Sequence, residues 1–216
     1  KEFEVERTGH ARLYITAHGV YDAYINGIKA GDFILAPGTS QYDVRLQYQS
    51  YDVSSLLRQG KNEIVVTIGD GWWRGDTGYG GERNSFGTDL GLLCQLEIDK
   101  KIVLVSDGSW MASQTGPLGH NDLMQGEQYD ARKEDICEWH PVTERKIGYG
   151  NLVCSNSFDV VEKEHFTGKR IDTPNGGLVI DFGQNIAGYT QLRLYAHEGQ
   201  RITIYHGECL DQHGNF

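Results

Sequence analysis

Apolar and polar residues alternate over short distances along this chain. Tyr21, Ala23 and Ile25 occupy every second position of VYDAYI, residues 20–25, which runs straight into Asn26-Gly27. A two-residue hairpin turn needs positive φ at both central positions, and this pair tolerates it. Residues 21–25 and 28–33 are therefore expected to pair as antiparallel strands. Residues 12–15 alternate more weakly, while residues 63–68, 90–98, 102–106 and 109–113 read as further strands. The best helix signal is DVSSLLRQG, residues 52–60. Asp52 can accept N–H bonds at its start and Gly60 can close it in the left-handed conformation, over a turn or two.

The pattern breaks at residues 138–150, a polar stretch around Pro141 that reads as a linker. Beyond it, residues 177–182, 188–195 and 201–208 alternate again, with Gly-rich joins. Short strands, frequent turn signals and no long amphipathic helix indicate an all-β chain of β-sandwiches. The expected division is a first domain over residues 1–140, a linker at 141–150, and a second domain over 151–216.

Composition supports a turn-rich β protein with aromatic surface: 28 of the 216 residues are glycine, 12 are tyrosine and 4 are tryptophan. A net charge of −10 argues against nucleic acid, whose phosphates call for clustered Lys and Arg. An acidic surface suits a neutral ligand such as a sugar, or a bound cation, and above all keeps a protein in solution. No segment approaches the ~20 apolar residues of a membrane-spanning helix. Cys94, Cys137, Cys154 and Cys209 are scattered without a C-x-x-C pair, so free buried thiols are favoured over a zinc site, and one disulfide is left open. The chain opens on Lys1 without a leader pattern and without Met, the signature of a fragment; the compartment stays unassigned, with the cytoplasm slightly favoured.

Candidate chemistry concentrates in GDGWWRGDTGYGGERNSFG, residues 69–87. Its glycines resemble a dinucleotide loop, but their spacing is one residue off the fingerprint and no helix former follows. The Lys of a phosphate-binding loop is absent too. Sugar recognition fits better, because aromatic faces meet the apolar side of a sugar ring and planar polar groups match its hydroxyls. Trp72, Trp73, Arg74, Asp76, Arg83 and Asn84 are the candidate carbohydrate-binding residues, with Asp70 and Tyr79 beside them. The competing reading has one tryptophan plugging the core and an Arg paired with an acid. Neighbours on an extended chain point oppositely, so Trp72 and Trp73 are expected to split, one inward and one outward.

GEQYDAR, residues 126–132, gathers two acids, a Tyr and an Arg; a structural acid–Arg network is favoured there over paired catalytic carboxylates. His206, Glu208 and His213 are dispersed metal-ligand candidates that strand-end exposure explains equally well. No residue is assigned as catalytic.

Several stretches together resemble the N-terminal β domains of bacterial α-L-rhamnosidases. They are ARLYITAHGVYDAYINGIKAGDFILAPG (residues 11–38), LQYQSYDVSSLLRQGKNEIVVTIGDGWWRG (46–75), GEQYDAR (126–132) and GLVIDFGQNIAGYTQLRLYAHEGQRITIYHGECLDQHG (177–214). The resemblance implies a jelly-roll-like β-sandwich followed by part of a second β-sandwich domain. It implies a parent hydrolase that removes terminal α-L-rhamnose with inversion, using acids on a later (α/α) barrel, the partner of this region in the same parent chain. No position of this sequence matches those catalytic acids. The implied ligand is an L-rhamnose-containing glycan or glycoside. Some relatives bind rhamnose partly through calcium; that site does not align here, although Asp70, Asp76, Glu82 and Asn84 offer oxygen ligands. No other cofactor is expected. The alternatives are a purely structural brace for the barrel and an accessory domain of another glycosidase.

Overall fold

Thirteen short strands lie within Lys1–Glu162, in a computed structural model that describes residues 1–78, 80–146 and 148–216; those over residues 20–25, 63–68 and 90–98 fall where the alternation placed them, while six others are not read as strands from the sequence. The first seven are β1 (Glu2–Val5), β2 (Ala11–His18), β3 (Val20–Ile25), β4 (Ile28–Lys29), β5 (Leu46–Asp52), β6 (Gly60–Gly69) and β7 (Gly91–Ile98). β8 (Lys101–Val105), β9 (Met111–Ala112), β10 (Leu118–Asp122), β11 (Gly126–Tyr129), β12 (His140–Pro141) and β13 (Leu152–Cys154) follow. One sheet has the order β1-β6-β3-β4, and a second has the order β13-β5-β2-β7-β8. All their pairings are antiparallel except β13 with β5.

The two sheets face each other across one core. Ala11, Leu13, Ile15 and Ala17 of β2 point inward with Cys94, Leu96 and Ile98 of β7. Tyr21, Ala23 and Ile25 of β3 meet them from the other sheet, with Ile64 of β6 and Trp110. The period of two seen in the sequence thus becomes a buried face and a solvent face on each strand.

The hairpin forms where Asn26-Gly27 places it, with φ of 51° and 80°. Its second strand is shorter than residues 28–33: only Ile28–Lys29 pair, because Gly31 takes a φ of 78° and the chain turns there. Asn26 does more than turn the chain. Its amide donates to Leu56 O and to Asn62 Oδ1, each at 2.8 Å, and its Oδ1 accepts Glu63 N at 3.1 Å. Asn62 is 2% exposed and fully engaged, donating to Arg58 O at 2.7 Å and Gly60 O at 2.9 Å and accepting Arg58 N at 3.0 Å. The expected helical turn is a single 3₁₀ turn, Ser54–Leu56. Asp52 Oδ1 accepts Ser54 N at 3.0 Å before it, but Leu57, extended, ends it, and Gly60, at φ 86°, opens β6 rather than closing the turn.

Lys163–Phe216 forms the second unit. Its one strand pair joins β14 (Lys169–Asp172) to β15 (Leu178–Asp181), antiparallel. Residues 188–195 and 201–208, expected as strands, take no strand conformation. Alternation defines two faces of a segment but supplies no ladder partner, and here Leu192, Leu194, Ile202 and Ile204 stay exposed. The cysteines correct another expectation. All four are free thiols, but only Cys94 is buried; Cys137, Cys154 and Cys209 are exposed. Among the described residues, no helix is long and apolar enough to cross a membrane.

Candidate functional site

The segment between β6 and β7 carries the candidate residues, and its local structure differs from an extended loop. Gly71–Arg74 form one α-helical turn, closed by Gly75 N donating to Gly71 O at 3.1 Å. Trp72 and Trp73 therefore do not alternate across an extended chain, and both are partly buried. That corrects the expected inward–outward split.

Trp73 belongs to an aromatic cluster. His18 stacks on its indole with ring centroids 3.7 Å apart and planes 10° apart. Tyr42 meets it edge-on at 5.5 Å, Phe86 lies at 6.3 Å with planes 22° apart, and its Nε1 donates to Asp89 O at 2.9 Å. A Cβ at Gly87 would lie 2.5 Å from Trp73 Cζ2, so glycine at that position makes room for the indole. Burial, and then the positive charge of Arg145, lowers the pKa of the His18 ring, keeping it neutral against the indole. Burial pushes the Tyr42 hydroxyl up to about 12.

The charged residues form a second cluster. Asp70, 6% exposed, accepts Arg74 Nε at 2.7 Å through Oδ1 and Arg83 Nη2 at 2.6 Å through Oδ2. Arg83 also donates from Nη1 to Asp122 Oδ2 at 2.5 Å. Asp122 sits at the end of β10, in the turn to β11, and is 5% exposed. It accepts the backbone N–H groups of Asp76 at 2.8 Å, Met124 at 2.9 Å and Gln125 at 3.0 Å. Burial pushes its carboxyl up, but those three backbone donors and the Arg83 guanidinium outweigh burial and hold it at about 2. Asp76, 9% exposed, accepts Gln125 Nε2 on Oδ2 at 2.9 Å, and its buried Oδ1 has no hydrogen-bond partner.

Of the six candidates, Arg74, Asp76 and Arg83 thus converge with Asp70 in one ion network. Trp73 is packed between His18 and Phe86, and Trp72 stands partly exposed beside it. Asn84 is exposed, with φ 62° and its N–H donating to Arg74 O at 3.0 Å. Tyr79 lies outside the described residues. Phe86 of the same loop and Asp122, Gln125, His18 and Tyr42 complete the neighbourhood; the last four carried no local signal in the sequence because they arrive from other segments. A cleft of about 370 Å³ opens elsewhere, between β1 and β8, with Lys1, Phe3, Leu104 and Ser109 among its lining. None of the candidates lines that cleft.

GEQYDAR resolves into structural pairs. Arg132 donates to Asp130 from Nε at 2.8 Å and Nη2 at 2.9 Å, Tyr129 donates to Glu134 at 2.7 Å, and Glu127 accepts Asn121 at 2.9 Å. His206 lies 3.4 Å from the Thr190 hydroxyl, and Glu208 accepts the Asn185 amide at 3.1 Å. Among the described residues, no group of three or more His, Cys, Asp and Glu side chains is arranged to hold a metal ion.

A two-sheet, mostly antiparallel sandwich with an aromatic, charge-braced loop defines a class of β-sandwich domain. Comparison with known proteins narrows the class: residues 6–163 match the α-L-rhamnosidase N-terminal domain, and residues 171–216 match the bacterial α-L-rhamnosidase concanavalin-like domain. The chain belongs to the α-L-rhamnosidase family, as its N-terminal domains. It is 33% identical to an α-L-rhamnosidase of Streptomyces avermitilis, over 97% of this chain and 22% of that protein. One from Formosa agariphila is 31% identical over 100% of this chain and 25% of its own length. The crystal structure of native α-L-rhamnosidase from Aspergillus terreus superposes with a TM-score of 0.79 at 39% identity, over 86% of this chain and 23% of that one. The Streptomyces avermitilis enzyme complexed with L-rhamnose gives 0.73 at 32% identity, over 86% and 20%. The chain spans about a quarter or less of the relatives it matches.

Proposed function

We propose that this chain serves a parent α-L-rhamnosidase as its N-terminal accessory region and that the 69–87 loop contributes carbohydrate recognition, the accessory function lying within residues 1–140. The supporting observation is the division of labour in the loop. Arg74 and Arg83 brace it through Asp70 and Asp122, while Trp72, Asn84 and Phe86 keep exposed surface that a ligand can meet. A rigid loop bearing an aromatic face and a few polar groups suits a neutral sugar, whose ring stacks on carbon and whose hydroxyls seek acceptors. The ligand class is an L-rhamnose-containing glycan or glycoside. The parent enzyme removes terminal α-L-rhamnose with inversion, and its catalytic acids sit on the barrel that follows this region.

Calorimetric titration of this chain with L-rhamnose, with and without calcium, tests the reading. Heat at millimolar sugar that Trp72→Ala removes supports it, and no heat under either condition sinks it. A purely structural role is the second reading, favoured by the internal engagement of Trp73, Arg74 and Arg83. Neither reading places catalysis here: the chain should not hydrolyse p-nitrophenyl α-L-rhamnoside. Turnover abolished by changing Glu127 or Asp130 would overturn that assignment.

A further inference from the structure

Two Asn-Gly pairs stand in this chain, Asn26-Gly27 and Asn175-Gly176, each in a hairpin turn, β3–β4 and β14–β15. Such a pair can react with itself, because glycine has no Cβ to keep its backbone nitrogen from the preceding side-chain amide. The two amides are held very differently. Asn26 is half-buried; its Nδ2 donates to Leu56 O and Asn62 Oδ1, each at 2.8 Å, and its Oδ1 accepts Glu63 N at 3.1 Å. Three bonds to other segments pin that amide on both ends. Asn175 is exposed, and among the described residues nothing accepts from its Nδ2. Its Oδ1 instead takes two donors, the Thr173 hydroxyl at 2.5 Å and Gly177 N at 3.1 Å. The Thr173 hydroxyl also lies 3.0 Å from Gly177 O, so its single proton serves the nearer acceptor, Asn175. The bond to Gly177 N closes an Asx turn, which folds the side-chain carbonyl back over the intervening Gly176 peptide. Gly176 is exposed as well, and its N–H donates to Thr173 O at 2.9 Å.

We propose that Asn175 is a site of spontaneous deamidation in the folded protein, with Thr173 as its positioning residue, and that Asn26 is not such a site. Hydroxide from solvent takes the Gly176 N–H proton, and the nitrogen attacks Asn175 Cγ, forming a C–N bond. The Cγ–Nδ2 bond breaks, and Nδ2 leaves as ammonia with a proton from water. Water then opens the succinimide ring at either carbonyl and leaves aspartate or isoaspartate at this position. Negative charge develops on Oδ1 during the attack, where the Thr173 O–H and the Gly177 N–H already point, as donors do in an oxyanion hole. The unbonded Nδ2 faces the water that protonates it as it leaves. Either product adds a negative charge, and isoaspartate also lengthens the main chain inside the turn that joins β14 to β15.

Incubation of this chain in mildly alkaline buffer, folded and in urea, tests the assignment. Peptide mapping by mass spectrometry reads the amide-to-acid conversion, and enzymatic methylation reads isoaspartate. In the folded chain Asn175 should convert at least about tenfold faster than Asn26, the worth of one of the hydrogen bonds that hold Asn26. In urea the two rates should converge as Asn26 is released. Thr173→Val should slow Asn175 about tenfold in the folded chain, by loss of a donor to the developing charge, and leave its rate in urea unchanged. Thr173→Ser, which keeps the hydroxyl, should restore most of the rate. Equal rates at Asn26 and Asn175 in the folded chain would overturn the proposal. So would an Asn175 that converts only in urea, because the turn then protects its amide. A Thr173→Val chain whose Asn175 converts as fast as before, or faster, would remove the positioning role and make Thr173 a stiffener of the turn. The ratio of Asn175 to Asn26 is read on the unsubstituted chain, so it decides the site whatever the variants do to folding.

Discussion

Replacing Arg83 by Leu would cut two ion pairs, one within the 69–87 loop to Asp70 and one that ties the loop to Asp122 in the turn between β10 and β11. The guanidinium reaches Asp70 at 2.6 Å and Asp122 at 2.5 Å, and the two carboxylate side chains are 9% and 0% exposed. Stripping the partner from a buried charge costs about 3–5 kcal/mol. Several features reduce that figure here. Arg83 is itself 33% exposed, Asp70 keeps Arg74 at 2.7 Å, and Asp122 keeps its backbone N–H donors. The expected loss is about 2–3 kcal/mol after that relief. Urea unfolding followed by tryptophan fluorescence reads it cleanly, because Trp72, Trp73, Trp110 and Trp139 all lie in the Lys1–Glu162 unit. Arg83→Lys should recover only part, since an ammonium lacks the fork that spans two carboxylates. A double-mutant cycle with Asp70→Asn should return a coupling of about 0.5–3 kcal/mol. A loss for Arg83→Leu below about 0.5 kcal/mol would refute the bracing role, because that is the scatter of ordinary surface substitutions.

Asp122 predicts an acid limb in stability. Its folded carboxyl is held at about 2, below the usual 3.8, so its contribution is complete above about 4 and is lost as pH falls toward 2; Asp122→Asn should flatten that limb in pH-dependent urea midpoints. Asn62→Ala should cost about 2–4 kcal/mol by thermal or urea unfolding, since it leaves the Asn26 amide and the Arg58 and Gly60 backbone groups short of partners. A thiol reagent should label Cys137, Cys154 and Cys209 rapidly and Cys94 only on unfolding, since burial pushes the Cys94 thiol up to about 12; fast labelling of all four would contradict the core packing.

Part of the strand pattern of the first unit was legible, because alternation and turn chemistry are local; β5 and β10, among others, were not read as strands. VYDAYI with Asn26-Gly27 specified both a strand and its turn, and Asp52 marked the start of a helical turn, which Leu57 rather than Gly60 ends. Residues 188–195 and 201–208 show the limit: they alternate as well as β3 does, but only β3 has neighbours, β6 and β4, to accept its backbone groups. In the loop, residue chemistry foresaw the competing Arg–acid pairing. It misjudged the tryptophans, because extended geometry was assumed where Gly71–Arg74 close a helical turn.

By itself the sequence determined the all-β class, the hairpin and the loop worth attention, since each follows from periodicity or residue chemistry within a few positions. Tertiary structure alone decided which loop groups are free. Asp122 and Gln125 stand some forty to fifty residues from Asp76, and His18 stands well before Trp73. No local rule connects them. Only the pairing of β2, β3 and β6 with their neighbours, and the packing of the β10–β11 turn against the loop, bring those charges and rings together. That placement turns two candidate sugar-binding arginines into braces and leaves one aspartate oxygen unpaired.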